Sequence, residues 1–84
     1  MEQKKIAYRA YSYREALNML FDFTTAHPDC RVLKHQLKIY NQDMEIRIFV
    51  IPFGRNNISR MLGLRFDEMY GFPEEIENEC IRSH

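Results

Sequence analysis

Glycine and proline are scarce, with three of each in 84 residues, and tryptophan is absent. The glycines, Gly54, Gly63 and Gly71, stand apart from one another, so no glycine-rich loop ending in Lys-Ser or Lys-Thr exists to cradle phosphates through backbone N–H groups. Two cysteines, Cys30 and Cys80, are too few for a secreted disulfide scaffold, and reduced thiols in a cytoplasmic protein are expected. No run approaches the roughly 18 apolar residues of a membrane span. Lys4 and Lys5 are followed by no apolar signal-peptide segment, so no membrane association is expected. Net charge is absent too, but unevenly. Residues 1–60 hold ten Lys and Arg against six Asp and Glu, a balance of +4, and residues 61–84 hold two against six, a balance of −4. Such a division suits either ordinary solvated faces or a bipolar surface that steers a charged partner.

What is present describes one small domain, residues 1–84, with no repeat or linker. A chain of this length buries only about 60% of its unfolded surface and has a thin stability margin without a partner, metal or disulfide. Arg82-Ser83-His84 has the form of a vector scar leading into a histidine tag and is set aside from functional argument.

Ile6 to Tyr11 predicts a short strand. Ser12-Tyr13-Arg14-Glu15 fits a capping box that opens a helix over residues 12–27, and His27-Pro28 closes it. Tyr13, Ala16, Leu17, Leu20, Phe21 and Thr24 form its apolar stripe, and Met19 and Phe23, off that stripe, are expected to widen the core face rather than to mark a partner site. Arg31 to Tyr40 and Met44 to Phe53 predict a hairpin turned by Asn41-Gln42-Asp43. The second strand becomes apolar on both faces from Ile48 onward, as in a central strand covered twice or a face awaiting a partner. Gly54 to Asn57 predicts a loop, Ile58 to Leu62 a helical turn closed by a left-handed Gly63, and Leu64 to Gly71 a last strand. Pro73-Glu74-Glu75 begins a short acidic helix anchored by Ile76, Cys80 and Ile81. The expected fold is α+β. A three- or four-stranded antiparallel or mixed sheet carries the main helix on one face and the acidic helix at an edge.

Three segments resemble the middle of the ATPase domain of phage large terminase subunits, the DNA-packaging motors. Tyr8-Arg9-Ala10-Tyr11-Ser12-Tyr13-Arg14-Glu15-Ala16-Leu17 is similar to that family's arginine-bearing strand and following helix. Asn41 to Val50 resembles its hairpin, and Met61-Leu62-Gly63-Leu64-Arg65-Phe66-Asp67 its loop near "LRGLRFD". The likeness covers residues 5–72 loosely, and only the last segment is at all specific. The phosphate loop is missing, Leu62 replaces an arginine, and Phe72-Pro73 falls where the family's Asp-Glu pair belongs. The resemblance therefore implies a non-catalytic relative, because nothing remains to hold phosphate and magnesium during phosphoryl transfer.

No catalytic, cofactor or metal-ligand set is expected. His27, Cys30 and His35 lack the paired four-ligand spacing of structural zinc, and no base accompanies either cysteine. The leading expectation is a non-enzymatic interaction protein of a phage or mobile element, in the bacterial cytoplasm. It would bind a protein or nucleoprotein complex through an uncovered face around Phe49, Ile51 and Phe53, or through acids Asp67, Glu68, Glu74 and Glu75 acting as a phosphate mimic. Self-association through that uncovered face is another use. The alternative is a small nucleic-acid-binding module using Lys34, Lys38, Tyr40, Arg47, Arg55 and Arg60 on a basic sheet face. Zero net charge weighs against it.

Overall fold

Ser12 marks the first decision the chain makes. Its backbone is extended and its Oγ accepts the Glu15 N–H at 3.1 Å, which caps a helix over Tyr13–Ala26 (α1). At the other end the His27 N–H donates to the Phe23 carbonyl at 2.9 Å, and Pro28 follows. These features belong to a computed structural model that describes residues 3–52, 61 and 63–82. The predicted loop at 54–57, the body of the turn at 58–62, and the side chains of Phe53, Arg55 and Arg60 lie outside the described residues.

The fold is α+β, with a five-stranded mixed sheet where three or four strands were expected. The strands are β1 (Lys4–Ala10), β2 (Arg31–Leu33), β3 (Lys38–Tyr40), β4 (Met44–Val50) and β5 (Glu68–Tyr70), and Glu74–Cys80 forms α2. Their order across the sheet is β2-β3-β4-β1-β5. β1 runs parallel to both neighbours, pairing Ile6 with Ile46 on one side and with Glu68 on the other. β3 is antiparallel to β2 and β4. Asn41 makes the β3–β4 turn, its Oδ1 accepting the N–H groups of Asp43 and Met44 at 2.8 and 2.9 Å.

The predicted first hairpin strand is broken. Residues 34–36 form a 3-10 turn and Leu37 takes a left-handed conformation, φ 51°, so that Arg31–Leu33 folds back to pair with Lys38–Tyr40. A left-handed residue costs about 1–2 kcal/mol, while burying a leucine returns about 1.5–3 kcal/mol. Leu37 is buried against α1's side of the sheet, which offsets the strain.

Both faces of the central strands β1 and β4 carry a packed cluster. On one side Ala16 and Leu20 of α1 pack on Ala10, Ile39, Ile46 and Ile48, with Leu17, Met19 and Phe23 partly buried around them. The helix is turned relative to its predicted stripe. Met19 and Phe23 face the sheet, Phe23 meeting Tyr8 at 4.7 Å between rings, and Tyr13 and Phe21 are exposed. On the other side Ile76 and Cys80 of α2 join Ala7, Phe49, Ile51, Met61, Phe66, Met69 and Phe72. The expectation of an uncovered face at Phe49 and Ile51 is therefore overturned. These residues are 5% and 3% exposed, because Met61, Phe66 and Phe72 pack over them together with Ile76 and Cys80 of α2.

Candidate functional site

The acids proposed from sequence do not form one surface. Asp67 accepts the Lys5 backbone N–H at 2.8 Å, and its other oxygen stands 3.9 Å from Arg82 Nη1. Glu68 turns to the Lys4 ammonium and the Tyr70 hydroxyl, the latter ring stacked on Tyr8. Its hydrogen bond from Lys4, then that from Tyr70, holds the Glu68 carboxyl below its ordinary value and raises Lys4 in return. Glu74 and Glu75 stand exposed in the first turn of α2. Asp67 and Glu68 thus direct their charge inside the chain.

The basic set divides in a different way. Lys38 lies directly opposite Arg47 across the β3–β4 ladder, and Tyr40 opposite Glu45. Alternation along the strands puts Lys38, Tyr40, Glu45 and Arg47 on α2's side of the sheet, beside Phe49. Lys38 Nζ pairs with Glu45 at 3.1 Å and sits 5.6 Å from the Tyr40 ring, and Arg47 lies 4.9 Å over the Phe49 ring. Lys34 is separated from them by the break at residues 34–37. It lines a cavity against α1 on the opposite face.

Two sites emerge that the sequence did not mark. One is an apolar groove of about 300 Å³ between α1 and β2, lined by Leu17, Leu20, Phe21, Thr24, Val32 and Lys34. Phe21 is 72% exposed at its margin and Val32 is 41% exposed. The second is a cleft of about 270 Å³ where Lys5, Arg47, Arg65 and Arg82 meet beside Glu45, Gly63, Leu64 and Phe66. Lys5 and Arg65 have no carboxylate within 4.0 Å among the described residues. Setting Arg82 aside as a scar hid one cleft residue, and the parallel β1–β4 pairing that brings Lys5 opposite Glu45 left no local signal.

Neither cysteine stands in a reactive setting. Burial pushes the Cys80 thiol up, and its Sγ donates to the Met61 carbonyl at 3.2 Å. Burial, and then the nearby Asp29 charge, raises Cys30. Among the described residues no group of three His, Cys, Asp or Glu side chains is placed to hold a metal, and no helix is long and apolar enough to cross a membrane. No family model, curated protein or solved structure matches the chain.

Proposed function

We propose that the chain is a non-enzymatic interaction protein of phage or mobile-element origin that works in the bacterial cytoplasm and docks a protein partner in the α1–β2 groove. The observation that carries this reading is Phe21, 72% exposed beside a groove into which Leu17 and Leu20 of the same helix descend. An exposed aromatic next to a shallow apolar depression is characteristic of an anchor for a partner's side chains. The interaction surface moves from the buried Phe49 and Ile51 to this groove, and the class of function is unchanged. Glu74 and Glu75 remain exposed for a supporting polar contact.

The test is capture from nuclease-treated bacterial lysate by the parent protein and by Phe21→Asp. A stoichiometric partner retained by the parent and lost by the variant is expected. Equal retention by both would remove the groove from consideration, and a shift of the purified parent alone to a dimer on sizing would mean that the groove's occupant is a second copy.

A second reading, nucleic-acid binding, is favoured by one observation: Lys38, Tyr40 and Arg47 share a sheet face next to the cationic cleft. Stacking on an aromatic ring flanked by cations is the physical basis of sequence-tolerant strand binding.

A further inference from the structure

Resting on that second reading, we infer that the cleft between Lys5, Arg47, Arg65 and Arg82 is a phosphate-binding site for a single strand of nucleic acid lying on the sheet face that α2 leaves open. The cleft collects cations from distant parts of the chain. Lys5 is on β1, Arg47 is on β4, Arg65 precedes β5, and Arg82 follows α2.

Among the described residues lining the cleft the one carboxylate is Glu45, already engaged by Lys38 at 3.1 Å, and Asp67 lies 3.9 Å from Arg82. A phosphate entering there meets uncompensated positive charge from Lys5 and Arg65, which have no carboxylate partner among the described residues. Anion binding relieves that repulsion, so the site favours a phosphate over water.

The sheet register extends the site. Arg31 pairs with Tyr40, Tyr40 with Glu45, and Glu45 with Lys5, so these four residues form one row on the same face. Neighbouring strands stand about 4.8 Å apart, which makes the row about 14 Å long. It presents a cation at each end, and between them the Tyr40 ring and the Glu45 carboxylate that Lys38 engages. That arrangement matches a strand gripped by phosphates with a base resting on an aromatic ring, whereas an acidic peptide has no use for the ring. Arg31 and Arg65 are exposed, so both can meet a ligand without rearrangement.

The experiment is fluorescence anisotropy of a labelled thymidine oligonucleotide of about 10 nucleotides, titrated with parent protein between about 50 and about 200 mM salt. The parent is expected to bind at low salt, with affinity falling as salt rises. Arg65→Glu and Lys5→Glu, checked for folding by circular dichroism, should each lower affinity at least tenfold, and Arg65→Lys should restore most of it. The salt slope should fall by about 0.7 for each phosphate that the variant no longer neutralises. Lys34→Glu, on the opposite face, should bind like the parent. No binding by the parent at low salt would overturn both the cleft and the nucleic-acid reading. Loss of binding in Lys38→Glu with none in Arg65→Glu or Lys5→Glu would keep that reading and overturn the cleft. Binding to anionic vesicles or to polyglutamate as tight as to the oligonucleotide would overturn the choice of ligand.

Discussion

Replacing Phe49 by alanine separates a core position from a docking position. In the structure Phe49 is 5% exposed, with the Phe66 and Phe72 rings edge-on at 5.7 and 6.3 Å and the Arg47 guanidinium above it. Truncating a buried phenylalanine costs about 3–5 kcal/mol, from lost transfer free energy and the cavity left behind. A chain of 84 residues has a total stability of about 4–13 kcal/mol at about 0.05–0.15 kcal/mol per residue, so the variant loses a large share of it. With a urea slope near 1 kcal/mol/M for a domain this small, the midpoint should fall by more than about 2 M. Thermal unfolding should fall by at least about 12 °C. Phe21→Ala supplies the contrast: at 72% exposure it should stay within about 0.5 kcal/mol of the parent. Urea titration followed by far-ultraviolet circular dichroism measures both. A cost below about 1 kcal/mol for Phe49→Ala, or equal costs for the two variants, would refute central strands packed on both faces.

Gly71 has φ +85°, and an added Cβ would stand 3.1 Å from the Cβ of Arg9, which is fixed to the central strand β1. Gly63 has φ +86° and, among the described residues, nothing within 4 Å of its Cβ position. Gly63→Ala should therefore cost only the left-handed conformation, about 1–2 kcal/mol, and Gly71→Ala measurably more; equal melting temperatures would contradict the close packing at Arg9. Glu68 has a lowered folded pKa through Lys4 and Tyr70, so its contribution to stability is present above its unfolded value and is lost as pH falls through the lowered one. Glu68→Gln should destabilise the protein slightly at neutral pH, and chemical denaturation should show the two proteins converging in acid. Because the Lys4 and Glu68 side chains are 55% and 32% exposed, added salt should shrink the difference. A difference that persists in acid would assign the effect to packing instead.

Local chemistry made some elements legible. The Ser12 cap, the His27-Pro28 stop and the Pro73-Glu74-Glu75 start each act within a turn of themselves, and both helices form where those signals place them. The β3–β4 hairpin was legible for the same reason, and with it the opposition of Lys38 and Arg47. The orientation of α1 was harder to obtain. Leu17 and Leu20 fit either of two overlapping stripes, and the choice of Met19 and Phe23 over Tyr13 and Phe21 is made by Tyr8 on β1, which the helix's own periodicity does not contain. The break in residues 31–40 was hidden because alternation continues through Lys34-His35-Gln36-Leu37. What ends the strand is a tertiary gain, the burial of Leu37, large enough to hold a left-handed leucine.

The cationic cleft shows how zero net charge conceals a site. Charges distant in sequence are sorted by the fold, not by their order along the chain. Asp67 and Glu68, which made the C-terminal part look acidic, are drawn into contacts with Lys5, Arg82, Lys4 and Tyr70. Arg65 and Arg82 from the same acidic part are carried to the side of the sheet where Lys5 and Arg47 lie. The remaining glutamates collect on α2, with Glu74, Glu75 and Glu79 exposed, over the other portion of that face. One face is thereby divided into a positive part and a negative part. A phosphate-bearing strand is attracted to the first and repelled at the second, so the division would fix where such a ligand lies as well as how strongly it is held.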